Sequence, residues 1–270
     1  MMSIMAKLLP RRSRFLAPRE KFLALLGVVA FTIVAIVATV LYGNQRANEV
    51  QATVSAPYVA PVDPNRPMFT LPENPRLLVL GDAYTLGVNA QPRSEGFAQV
   101  VSRRLGWPSE IDGIGGTGFT WGGGPDGMDG KDFISRINRR GASSDFVPNV
   151  LLIQGGQSDH LAAPDFLKAR VAETINAART TWPGVQIIVM GPSRPMPGGE
   201  LLNRVSTPIG ETALESQVPF INPLGAKWFT DENSQQYYGD SDGSLLNAKG
   251  HAYVAGRVLD SLQIIGVRNF

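Results

Sequence analysis

RLLVLGDAYTLG, residues Arg76 to Gly87, is a short apolar run that breaks into Gly-Asp and then a polar turn. Leu77 to Leu80 is unbroken apolar sequence, the composition of a central strand covered on both faces rather than one alternating towards solvent. A strand of that kind delivers its last residues to the carboxyl edge of an open α/β sheet, where such folds place their ligands. Gly81 and Gly87 are read as the points at which the backbone turns sharply.

Outward from this stretch, strand-like and helical segments alternate. An amphipathic helix is expected near Ser94 to Leu105, with Phe97, Val100, Val101 and Leu105 on one face. Ile111 to Ile114 reads as a weak second strand opening onto the glycine-rich run GIGGTGFTWGGGPDGMDG. A short helix from Phe133 to Asn138 leads to a third strand, Val150 to Ile153. Phe166 to Ala178 is helical, and Val185 to Met190 is a fourth strand after the Pro183-Gly184 turn. A helix over Leu201 to Leu214 is expected despite Pro208 and Gly210, then a fifth strand at Val218 to Ile221. Asn247 to Ile265 closes the pattern as a helix with Val254, Val258, Leu262 and Ile265 on its apolar face. This order predicts a three-layer α/β sandwich with a mainly parallel five-stranded sheet, flavodoxin-like in type, over residues 76–270.

The chain has 270 residues and no cysteine, which excludes structural disulfides and thiolate metal sites; no metal or cofactor is expected. A net charge of +2 hides an asymmetry, because residues 1–21 carry Lys7, Arg11, Arg12, Arg14, Arg19 and Lys21 against Glu20 alone. That segment is +5 and the remainder is −3. A mildly acidic globular part argues against nucleic acid as a partner.

Phe22 to Tyr42 is 21 residues without a charge, enough to cross a hydrocarbon core of about 30 Å at about 1.5 Å per residue. A buried core helix or a cleaved signal peptide are the alternatives. The length, and the lack of a small-residue cleavage site just beyond, favour an uncleaved anchor. The basic cluster before it orients the N-terminus to the cytoplasm and everything after Tyr42 outside. Residues 43–75 are polar and proline-rich and read as a stalk. The expected partners are therefore the lipid bilayer and, beyond it, an envelope membrane complex or a cell-wall glycan. Gly27, Ala30, Ala35 and Ala38 would permit close helix packing in such a complex.

Three further phrases accompany Gly-Asp-Ala at residues 81–83. They are DGIGGTGF at 112–119, IQGGQSD at 153–159 and DGSLLNAKGH at 242–251. In this order they resemble the four blocks of the SGNH (GDSL-type) hydrolases. The resemblance spans most of residues 76–265 and implies that family's fold. It places Ala83 where the family has its nucleophilic Ser. Gly116 falls where a backbone N–H serves the oxyanion, and Gly156 and Asp159 fall in the third block. Ser158 stands where an Asn completes the oxyanion hole, Asp242 matches the triad Asp, and Leu245 takes the catalytic His position. A methyl group cannot attack a carbonyl and leucine accepts no proton. Loss of both reactive groups together implies natural degeneration on an intact scaffold, a pseudoenzyme with no catalytic residue intact.

Two histidines remain. His251 aligns with a structural position, and His160 follows Asp159 and either faces the site or solvates a loop. The expected cleft is bordered by Ala83, Gly116, Ser158, Asp159 and Asp242, and the candidate ligand-binding residues are Asp82, Tyr84, Gly116, Trp121, Gly156, Asp159 and His160; Trp121, Phe119 and Tyr84 are read as aromatic platforms for a sugar or, more simply, as packing groups. Two function classes follow: a binding or scaffolding component, and an active esterase or acyltransferase that uses Thr85 or Ser158 with His160 or His251.

Overall fold

The computed structural model describes residues 68–195, 199–239 and 245–267. The expected cytoplasmic segment, membrane span and most of the stalk lie outside these residues, as does Asp242. Among the described residues no helix is long and apolar enough to cross a membrane.

Five strands form one parallel sheet: β1 (Leu77–Gly81), β2 (Ser109–Gly113), β3 (Val150–Gln154), β4 (Gln186–Met190) and β5 (Phe220–Ile221). Their order is β2-β1-β3-β4-β5, so the winding reverses between β1 and β3. An open sheet has its crevice outside the carboxyl ends at such a switch point. The helices are α1 (Ala83–Leu86), α2 (Phe97–Leu105), α3 (Phe133–Ser143), α4 (Pro164–Thr181), α5 (Asn203–Glu215) and α6 (Ala248–Ile265).

Alternation along the strands divides the core between the two faces. Leu77 and Val79 of β1, with Val150 and Leu152 of β3, pack under α2 and α6 through Phe97, Val101, Val254 and Val258. Leu78 and Leu80, with Leu151 and Ile153, pack under α3, α4 and α5 through Phe133, Ile137, Val171, Ile175 and Ile209. Burial on both faces explains why β1 and β3 are apolar throughout.

Several boundaries differ from the expected ones. The stretch after Gly81 is not an open turn: Ala83–Leu86 is a helical turn capped at its C-terminus by Gly87 in the left-handed region, φ 80°. Gly81 itself stays in the strand, where a Cβ would lie 2.2 Å from Thr85 Oγ1 and 2.8 Å from the Gln154 carbonyl. Close approach, not turning, requires glycine there. Strand β2 begins at Ser109 and is half-buried at the sheet edge, so its apolar signal is diluted. Helix α3 runs on to Ser143. Pro208 lies inside α5 without ending it, and Gly210 leaves room for the Phe220 ring, which a Cβ would meet at 2.6 Å. The stalk ends before Pro75: Phe69 is buried in the core, and the Thr70 N–H donates to Gln186 Oε1 at 2.9 Å.

Candidate functional site

At the carboxyl edge, Asp82 caps α1, its Oδ1 accepting from the Tyr84 N–H at 2.8 Å. Its Oδ2 is buried with no hydrogen-bond partner, and burial pushes the carboxyl up to about 7, against the opposing pull of the Tyr84 N–H and of Gln154. Ala83 is the first residue of that turn. Gly115 lies beside it, where a Cβ would make an ordinary van der Waals contact with the Ala83 methyl at 3.7 Å.

A cleft of about 320 Å³ opens at this point. Asp82, Ala83 and Tyr84 line it from the end of β1, Gly116 from the loop after β2, and Gln157, Ser158 and His160 from the turn after β3. Arg194 after β4, Leu202 before α5 and Leu245 before α6 complete it. Thus Ala83, Gly116, Ser158, His160 and Leu245, more than a hundred and fifty residues apart at the extremes, share one cavity.

Other expected site residues stand elsewhere. Asp159 is buried and spends its carboxylate on the glycine-rich loop, accepting from the Phe119 N–H (3.2 Å), the Thr120 N–H (2.7 Å) and the Thr120 hydroxyl (2.6 Å). Burial raises its pKa in spite of these bonds. It is a brace for that loop, not a lining group. Gly156 holds φ 115°, and a Cβ there would strike Pro192 at 2.8 Å, so it shapes the turn without lining the cleft. The Trp121 ring lies over Gly127, where a Cβ would come within 2.7 Å, and Phe119 is fully buried edge-on to Phe133 at 4.9 Å. Phe119 is thereby withdrawn from any ligand, and Trp121, half-buried, does not line the cleft. Tyr84 lines the cleft but is 2% exposed and packs in the core.

The displaced nucleophile and base are constrained in the same way. Thr85 is buried and donates to Gln154 Oε1 at 2.8 Å. His251 is buried; its Nδ1 accepts from the Phe97 N–H at 3.3 Å and its Nε2 donates to the Val88 carbonyl at 2.7 Å. Burial lowers its pKa, and with both nitrogens engaged it fastens α6 to α2 as a neutral ring. His160 is exposed and donates from Nδ1 to the Gln157 carbonyl at 3.0 Å, because a carbonyl only accepts.

Sequence reasoning missed two groups. Arg194, Gln157 and Leu202 of the lining lie in loops at the carboxyl edge; for Arg194 and Leu202 that position was the available signal, while Gln157 sits within the phrase IQGGQSD. Arg136 is the second: from α3 its guanidinium reaches under the edge to the Gly81 carbonyl (2.9 Å), Thr117 Oγ1 (3.1 Å), Asp112 Oδ1 (2.6 Å) and the Asp112 carbonyl. Arg140 adds Asp112 Oδ2 at 2.8 Å and Glu110 Oε2 at 2.5 Å. Burial works to raise the Asp112 pKa, and the two guanidinium groups overcome it and hold it low. No signal beyond an Arg in an amphipathic helix marked this network.

Fold, switch-point cleft and the four blocks together define an SGNH-type hydrolase scaffold. Residues 79–253 match the GDSL-like lipase/acylhydrolase family, and the chain belongs to that family. It is similar to GDSL lipase Rv0518 of Mycobacterium tuberculosis, 24% identical over 199 residues that make up 70% of this chain and 82% of that one. Among solved structures it resembles a carbohydrate acetylesterase family member from Sinorhizobium meliloti, TM-score 0.54 at 14% identity over 71% of this chain and 98% of that one. A family two carbohydrate esterase from Clostridium thermocellum in complex with cellohexaose gives 0.53 at 19% identity, over 72% and 66%. At these identities the structures establish the fold.

Proposed function

We propose that this chain is a non-hydrolytic member of its family, a membrane-anchored binding or scaffolding component of the cell envelope whose extracytoplasmic cleft holds a ligand without cleaving it. The observation that carries this reading is the chemistry of the cleft lining. The family's nucleophile and base positions are here a methyl and an isobutyl group, and both line the same open cavity. A nucleophile and its base act as a unit, so losing both leaves only the residual catalysis of binding and oxyanion donors. The carbohydrate esterases among the structural neighbours support a glycan or acylated glycan as ligand. The charge-free run Phe22 to Tyr42 supports attachment to the bilayer.

The purified full-length protein, assayed with a short-chain aryl ester, should show no hydrolysis above background. Ala83→Ser with Leu245→His and Ser158→Asn should then create measurable hydrolysis, with Asp242 available to orient the new imidazole, while each single change does little. Restoring the second oxyanion donor is worth about 10²–10³ in rate once a nucleophile exists. Parent activity equal to that of the triple variant would overturn the reading.

A second reading, an active esterase with a displaced constellation, is favoured only by Ser158 and His160 sharing the cleft. It predicts parent hydrolysis that disappears in His160→Ala.

A further inference from the structure

Arg194 belongs to none of the four blocks, yet it lines the cleft. Among the described residues its guanidinium has no ion-pair or hydrogen-bond partner. Its backbone is well held. The Gln157 amide donates to the neighbouring Ser193 carbonyl at 3.2 Å, and Gly199 packs so closely that a Cβ would fall 2.5 Å from the Arg194 carbonyl.

A guanidinium without a protein partner in a small cavity is poorly matched to a neutral ester and well matched to an anion with two in-plane oxygens. We propose that the cleft binds a carboxylate, held by Arg194 with the Ser158 hydroxyl and the Gly116 backbone N–H as further donors. Ala83, Leu202 and Leu245 wall its carbon skeleton. The inference rests on the non-hydrolytic reading, since a cleft of this kind retains an acid instead of releasing one.

The other charged groups agree with it. Asp159 is sequestered by Phe119 and Thr120, and the Arg204 guanidinium reaches the His160 carbonyl beside the cleft. Asp82, the acid in the lining among the described residues, has its pKa raised to about 7 by burial, so a large share of it is neutral at pH 7 and below. The volume of about 320 Å³ lies at the small end of ligand cavities, roughly 300–1,000 Å³, and suits a short acid or one sugar unit. A carboxylate of this size has two sources, a short aliphatic acid or a uronic-acid sugar.

The test is calorimetric titration of the full-length protein in detergent with acetate, butyrate, hexanoate and glucuronate, each beside its neutral counterpart: acetamide, butyramide, hexanamide and glucose. The acids should bind at least about ten-fold tighter than their neutral counterparts, the worth of one charge-assisted contact. Arg194→Gln should abolish that difference, with Arg194→Lys retaining part of it. Because the side chain has no partner among the described residues, the unliganded melting temperature of Arg194→Gln should match the parent. Ala83→Leu should block binding while leaving Arg194 in place. Affinity that climbs from acetate to hexanoate identifies an aliphatic acid, and glucuronate exceeding all three identifies an acidic sugar. Equal binding of acid and amide, no binding of any acid, or unchanged affinity in either Arg194→Gln or Ala83→Leu would overturn the proposal. The non-hydrolytic reading fails on a separate measurement, ester hydrolysis by the parent chain.

Discussion

At the scale of single residues, Asp82 shows how one side chain serves the fold at a cost. Its Oδ1 caps a four-residue helix, a job Asp and Asn do about equally well. Its Oδ2 is buried without a partner, so the protonated form is favoured in the folded protein, and the pKa rises from 3.8 to about 7. The folded state therefore binds the extra proton. The stability contributed by this group is fully present below pH 3.8 and is lost as pH rises towards 7. Each pH unit of that window is worth about 1.4 kcal/mol, so the swing is on the order of 4 kcal/mol. Asp82→Asn keeps the cap and removes the titration. Denaturant melts at pH 4.5 and pH 8 should show the variant gaining on the parent as pH rises. A difference between the two proteins that does not change with pH would refute the assignment.

At the scale of elements, the carboxyl edge is held by side chains that cross between them. Arg136 of α3 joins the end of β1, through the Gly81 carbonyl, to Asp112 of β2 and to Thr117 of the glycine-rich loop. It is fully buried, and its pKa is lowered by desolvation against the opposing attraction of Asp112. Removing one member of a buried ion pair leaves the other uncompensated, typically at a cost of about 3–5 kcal/mol. Arg140 still reaches Asp112, which places Arg136→Met near the lower end, about 3 kcal/mol. Urea unfolding should show it as a lowered midpoint. A change under about 1 kcal/mol would mean that the charge is idle. The acidic, half-buried composition of β2 follows from the same network, since Glu110 and Asp112 face the α3 guanidinium groups.

At the scale of the whole molecule, both faces of the sheet carry closed apolar cores, so the domain has the means to stand alone. Deleting residues 1–43 should yield a soluble fragment with a single cooperative thermal transition. Aggregation without a cooperative transition would argue that the domain depends on the segment removed. The cleft sits where the winding reverses, and all of its lining comes from residues at or beyond the carboxyl ends of strands.

What the sequence determined alone was what neighbouring residues decide between them. Apolar runs of four or five mark β1 and β3, helical periodicity marks α2, α4 and α6, and the family blocks mark where Ala83, Gly116, Ser158 and Leu245 belong. Only the tertiary structure decided which polar groups face the cleft and which are used up behind it. Asp159 looked like a ligand group until its oxygens were found on Thr120, 39 residues earlier. Trp121 stands outside the cleft lining, with its ring against Gly127. Arg136 acts across 55 residues, and Arg194 gains its meaning from loops after three other strands. Such roles depend on which loops the sheet order brings side by side, and no local pattern encodes the satisfaction of a buried polar atom by a partner that the chain reaches only after folding.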